Sequence, residues 1–155
     1  MLKVELIAVG TRSPAWVSEA VEEYSRRMKD CAFSIREIRP ADRRKPRGID
    51  AWKAEEAALI LNALVDGARV IAMDLSGRHW STEQLAGKIE NWKLEASHLQ
   101  FLVGGPDGLD AACLSRADDV WSLSNLTFPH QLVRVILAEQ IYRALSVIAN
   151  HPYHK

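Results

Sequence analysis

Trp121-Ser-Leu-Ser-Asn-Leu-Thr-Phe-Pro-His130 connects a short apolar run to the most apolar helix of the chain. Pro129 suits a first helical turn, because its fixed φ is helical and its missing N–H has no partner there in any case. Beyond it Leu132, Val133, Val135, Ile136, Leu137, Ile141, Leu145, Val147 and Ile148 cover most of the circumference, which predicts a helix buried on more than one side. Glu139, Arg143 and Ser146 interrupt this at i, i+4 and i+7 and form one narrow polar stripe. Either the stripe faces a site or a second copy of the chain, or Glu139 and Arg143 are a simple surface pair. Upstream, the apolar run Leu99-Gln-Phe-Leu-Val103 enters Gly104-Gly105-Pro106-Asp107-Gly108; downstream the chain ends in Asn150-His-Pro-Tyr-His-Lys155. Two loops and a tail surround one buried helix.

Towards the N-terminus strands and helices alternate. Lys3 to Val9 is an apolar strand closed by Gly10, and Ser13-Pro14 supplies an N-cap and a first-turn proline for a helix with Trp16, Val17, Ala20, Val21, Tyr24 and Met28 on one face. Phe33 to Arg39 alternates as a half-exposed strand does. Asp50 caps a helix running through Leu64, Asp66-Gly67 ends it, and Arg69 to Leu75 is the third strand, turned by Ser76-Gly77. Ser81 and Gln84 form a capping box for a helix that buries Leu85, Ile89 and Trp92. Leu99 to Val103 is the fourth strand, Asp110 caps a short helix over Ala111 to Ala117, and Asp119 to Leu123 is the fifth. This order predicts an α/β fold, a mostly parallel sheet with helices on both faces.

At 155 residues, 48% hydrophobic and 26% charged, the chain has the length for one domain with a real core. Cys31 and Cys113 belong to no C-x-x-C pair, so neither a disulfide framework nor a zinc knuckle is indicated and a reducing cytoplasm is expected. No leader pattern or membrane-length apolar run is present. A formal net charge of zero argues against binding naked nucleic acid through a global positive field. Yet Arg36, Arg39, Arg43, Arg44, Lys45 and Arg47 share one segment broken by Pro40, Pro46 and Gly48, which reads as a mobile basic loop, for phosphates or merely solvated.

Ligands in parallel sheets bind at the carboxyl ends of strands. Three ends here carry small residues that let a ligand approach backbone groups: Met73 to Gly77, Gly104 to Gly108, and Leu123 to Phe128. The glycine loop matches neither the dinucleotide fingerprint nor a P-loop.

Ala8-Val-Gly10, the Trp80 region, Phe101-Leu-Val-Gly-Gly-Pro-Asp-Gly108, Leu123 to Pro129 followed by His130, and Asn150-His-Pro-Tyr-His-Lys155 resemble the ribosomal RNA large subunit methyltransferase H family, small bacterial SPOUT methyltransferases. The resemblance covers the whole chain. It implies a single SPOUT domain over residues 1–155 with a C-terminal trefoil knot in about residues 70–155, which general topology rules alone would disfavour. It also implies an obligate homodimer packed through the terminal helix. The implied reaction moves a methyl group from S-adenosyl-L-methionine to N3 of a pseudouridine in 23S rRNA of the assembled ribosome, with no appended RNA-binding domain.

Carried over by position, the cofactor residues are Met73, Gly104, Gly105, Leu123, Ser124, Asn125, Leu126, Thr127 and Phe128. Met73 stands where the family suggests leucine, and Asp107 where glutamate is common. The imide proton of N3 must leave as the methyl arrives, so a base and a positioning group are needed. His154 and Tyr153, on a tail able to close over a site, are candidates for deprotonation and base contact, and Arg143 for orienting the nucleotide; in a dimer they serve the partner's cofactor. His130 is expected to brace its loop. His151-x-x-His154 lacks a third ligand, so no metal is expected. The competing readings are a non-catalytic ribosome-binding dimer and a binder of another adenine nucleotide.

Overall fold

Alternate side chains of the first strand enter two different cores. Val4, Leu6 and Ala8 pack on one face of the sheet, Ile7 and Val9 on the other, as the two-residue period of a doubly covered strand requires. The structure, a computed structural model, describes residues 1–155. Its strands are β1 (Leu2–Val9), β2 (Cys31–Ile38), β3 (Arg69–His79), β4 (His98–Val103) and β5 (Asp119–Ser122), in one sheet of order β2-β1-β4-β3-β5. Every pairing is parallel, so the expected mostly parallel sheet is wholly so. The helices are α1 (Ala15–Arg27), α2 (Ile49–Asn62), α3 (Thr82–Glu95), α4 (Ala111–Arg116) and α5 (His130–Ile148), followed by a 3₁₀ turn at Pro152–His154. Leu85, Ile89 and Trp92 of α3 and Leu137, Ile141 and Ala144 of α5 fill the core on one face; Ala57 and Ile60 of α2 and Cys113 of α4 fill the other. Val17 and Val21 of α1 pack on Ala138 of α5, which places α5 between α1 and α3. No helix is long and apolar enough to cross a membrane.

Several local expectations need correction. β3 does not turn at Ser76-Gly77 but continues to His79, through an irregularity between Met73 and Arg78 in its pairing with β5. Gly77 permits this: a Cβ there would lie 2.6 Å from Trp121 N, so only glycine lets β5 come that close. Ser13 caps nothing. Pro14 occupies the N-cap position without a side-chain bond, and Ser13 is drawn away to Gln131 and Arg134. Trp16 is 55% exposed, off the buried Val17–Val21 face. Asp50 lies inside the first turn of α2 behind a Gly48 N-cap with φ +93°. The capping box of Ser81 and Gln84 and the Asp110 cap form as expected.

The basic segment is tied down rather than free. Arg36 pairs with Glu5, Arg43 with Glu56 and Asp107, Arg44 with Asp42, and Arg47 with Glu55, leaving Arg39 and Lys45 outside any ion pair. Mutual neutralisation of this kind shrinks the local positive field that the composition suggests.

Candidate active site

Three strands contribute to one cleft of about 540 Å³, two through their carboxyl ends and β3 from its middle, because it runs on to His79 instead of ending at the expected turn. β3 brings Met73, Asp74 and Leu75; β4 brings Val103 and the loop Gly104 to Gly108; β5 brings Trp121, Ser122, Leu123, Ser124, Leu126, Thr127 and Phe128. The start of α5 closes it with Pro129, His130 and Val133. Eight of the nine positions proposed for the cofactor therefore line one space, and exposed Asn125 alone does not.

Local chemistry shapes each loop. Gly104 and Gly105 run so close to other backbone and to Val9 that a Cβ would meet Gly108 C at 2.5 Å and Val9 Cγ1 at 2.9 Å. The loop then reverses in a turn, in which the Gly108 amide donates to Gly105 O at 3.0 Å and Gly108 takes φ +80°. After β5, the Ser122 hydroxyl donates to Ser124 O at 3.0 Å and the Ser124 hydroxyl accepts from the Leu126 amide at 3.0 Å, which curls the loop around the cleft. Beneath it Trp121 stacks on Trp80, ring centres 5.1 Å apart, and meets the edge of Phe101.

Behind the α5 wall lies a residue that hydrophobic periodicity passes over. Arg134 is 1% exposed; it donates from Nη1 to Ser13 Oγ at 2.7 Å and to Glu37 at 2.8 Å, and from Nη2 to Gly10 O at 2.9 Å. It lies about 140° around the helix from Glu139, at 3.6 residues per turn, so it stands apart from the polar stripe. A lone arginine off the stripe, inside the most apolar helix, is the signal that marks it. His130, one turn earlier, is held below its usual pKa by burial and by the Arg134 charge, which favours a neutral imidazole at the cleft wall.

The tail lies elsewhere. Arg143 is 13 positions beyond His130, roughly 20 Å along the helix axis, and neither it, Tyr153 nor His154 lines the cleft of its own chain. These groups gather at the far end of α5: Arg143 donates from Nε to Glu139 at 2.8 Å and from Nη1 to Tyr153 O at 3.3 Å, and Tyr153 Oη donates to Glu139 at 3.3 Å. The Arg143 guanidinium sits 4.8 Å above the Tyr153 ring, which also packs on Tyr142. Burial, with hydrogen bonding to Tyr24 and the Glu139 charge, pushes the Tyr153 phenol up to about 12. Tyr153 is thus a hydrogen-bond donor at neutral pH and not a base. Ser146 departs from the expected stripe: it is buried and donates back to Tyr142 O at 2.9 Å, as a mid-helix serine does when no outside partner is offered.

This cleft, with its glycine loop and no phosphate-binding loop, has counterparts. A family model described as "Predicted SPOUT methyltransferase" matches residues 2–154. The chain belongs to the SPOUT methyltransferase family. It is 49% identical, over 99% of its length and 100% of the relative's, to a ribosomal RNA large subunit methyltransferase H of Marinomonas sp. (strain MWYL1). Proteins of the same name from Methylococcus capsulatus (strain Bath) and Nitrosococcus oceani are each 46% identical, over 99% of this chain and 100% and 99% of theirs. Within this SPOUT methyltransferase, the cleft residues outside the three expected stretches are mostly their flanks: Val103, Trp121, Ser122 and Val133. His130, expected to brace its loop, also lines the cleft.

Proposed function

We propose that this chain transfers a methyl group from S-adenosyl-L-methionine to N3 of a pseudouridine in 23S rRNA of the assembled ribosome, acting as a homodimer. The observation that carries the reading is the convergence of the ends of β4 and β5 and the middle of β3 on one cleft. Its volume lies in the range of small-molecule sites, and its lining suits the cofactor: Met73, Leu123, Leu126 and Phe128 for the adenine and aliphatic parts, backbone groups of the two loops for the polar edges. When bound, the cofactor supplies the electrophilic methyl group. Gly104, Gly105 and the Leu123 to Phe128 loop would hold and orient it, with Asn125 at the rim, and the apolar walls exclude water from a reaction in which opposite charges cancel.

The acceptor end of the reaction falls to the tail. Because Arg143 lies roughly 15 Å of helix beyond Val133 at the cleft wall, with Tyr153 packed beside it and neither Tyr153 nor His154 lining that cleft, a second copy packed against α5 is what brings a tail to each cofactor. There the His154 imidazole accepts the N3 proton, the Tyr153 side chain, its hydroxyl donated to Glu139, contacts the base, and Arg143, held by Glu139, orients the nucleotide. The trefoil knot over about residues 70–155, within a single domain, belongs to the same reading. A chain of zero net charge suits a folded ribosomal surface better than naked RNA.

Labelled methyl transfer to intact ribosomes lacking the modification, with free rRNA alongside and mass mapping of the product, tests this. Methyl at N3 of one pseudouridine on ribosomes alone is the expected result. Cofactor binding without transfer to either acceptor would refute the acceptor assignment, and absent cofactor binding would leave a ribosome-docking dimer or a binder of another adenine nucleotide.

A further inference from the structure

The cofactor loop is held from both sides. On its inner side Gly104 and Gly105 abut backbone and Val9. On its outer side the turn presents Asp107, whose carboxylate accepts only from Arg43, from Nη2 at 2.9 Å and from Nε at 3.3 Å. Arg43 itself does not line the cleft.

Arg43 is fixed in turn. Its Nη1 donates to Ala41 O at 3.0 Å and to Glu56, and its guanidinium lies 5.7 Å over the Trp52 ring. Glu56 is 2% exposed and also accepts from the Ala41 amide at 2.9 Å, so a buried carboxylate on α2 serves one arginine and the backbone beside it. A buried carboxylate is costly unless paired, and Arg43 supplies the pairing charge. Of the clustered cations only Arg43 reaches the cofactor loop; Arg44 and Arg47 pair within their own segment and α2.

We infer that Arg43 is a positioning residue for the reaction, holding the Gly105–Gly108 turn at the cofactor cleft through Asp107 while Glu56 holds Arg43. The inference rests on the reading of the cleft as the S-adenosyl-L-methionine site. Its consequence is a split between binding and turnover. Arg43 touches no reacting atom, so its loss loosens the loop and weakens cofactor binding but leaves the rate at saturating cofactor unchanged.

The test compares Arg43→Gln, Asp107→Asn, the double variant and Asp107→Glu with the wild type. Asp107→Asn keeps the Arg43–Glu56 pair, so it reports on the loop even where Arg43→Gln folds poorly. Hydrogen exchange at the Gly108 amide reads the turn directly. Exchange about tenfold faster in each single variant, the scale of one lost charge-assisted hydrogen bond, and no faster in the double, is expected. The dissociation constant for S-adenosyl-L-methionine should rise in the same non-additive way, with kcat on ribosomes preserved in Arg43→Gln and the affinity of Asp107→Glu near the wild type. Unchanged Gly108 exchange, or effects that multiply in the double variant, would overturn the latch. A wild type that does not bind the cofactor would refute the reading of the cleft instead, and the exchange data would still decide whether Arg43 holds the turn.

Discussion

Arg134 Nη2 donates to the carbonyl oxygen of Gly10 at 2.9 Å and so joins positions 124 residues apart. The bond ties the first turns of α5 to the carboxyl end of β1, and the same guanidinium reaches Glu37 at the end of β2. The cleft wall built by Pro129, His130 and Val133 is therefore anchored to the two strands that lie outside the cleft.

Replacing Arg134 with methionine preserves bulk but leaves the Gly10 carbonyl and Ser13 short of a donor. Loss of a buried charged donor of this kind costs about 3 kcal/mol. At this chain length that corresponds to about 6–12 °C in the unfolding midpoint. Calorimetry of Arg134→Met checks it; an unchanged midpoint would mean that the network contributes no more than water does in the unfolded chain.

Gly104→Ala places a methyl 2.5 Å from the Gly108 carbonyl carbon, so the loop must move. Overpacking of this size costs about 1–3 kcal/mol. If the cost falls on the bound state, affinity for S-adenosyl-L-methionine drops roughly tenfold to hundredfold in titration calorimetry. Wild-type affinity would place the cofactor away from this loop.

Mixing tests the proposed sharing of a site between two copies. Gly104→Ala weakens a cleft and Arg143→Ala spoils a tail, so at cofactor concentrations near the wild-type dissociation constant each homodimer is expected to be nearly inactive. Subunit exchange in an equimolar mixture makes one intact site in each heterodimer, restoring about a quarter of wild-type methyl transfer for a two-fold dimer. No recovery after verified exchange would return the tail to its own chain.

His130 is held below the ordinary imidazole value of 6.5 by burial and by the Arg134 charge. The unfolded chain then binds more protons than the folded one just below pH 6.5, so stability falls as pH drops from 6.5 through the lower folded value. Urea unfolding at pH 7.5 and pH 5 should show a smaller loss for His130→Gln than for the wild type. Equal losses would remove His130 from the acid response.

Burial pushes the thiols of Cys31 and Cys113 up to about 11, with the Asp110 charge adding to the effect on Cys113. Neither thiol forms an appreciable thiolate at pH 8. A thiol reagent such as DTNB should label the native protein slowly and both cysteines promptly after unfolding; fast labelling of the native state would reveal local opening of β2 or α4.

The amino-acid order by itself determined the layered α/β plan, since apolar runs, the Ser81–Gln84 box and the Asp110 cap are local signals with local physical causes, whereas Pro129 sits one position before its expected first-turn place, at the N-cap of α5 with ψ 136°. It also pointed to most of the segments that line the cleft, although Gly77, Gly104 and Gly105 prove to make room for the protein's own backbone and Val9. What only the tertiary structure decided involves partners far apart in the chain. Gly77 continues a strand instead of turning it because β5 lies 2.6 Å from where its Cβ would be. Ser13 leaves its helix for Arg134, and Arg43 leaves its basic segment for Asp107, 64 positions away. Each choice turns on which acceptor or backbone the fold brings within reach, and hydrophobic periodicity carries no information about that.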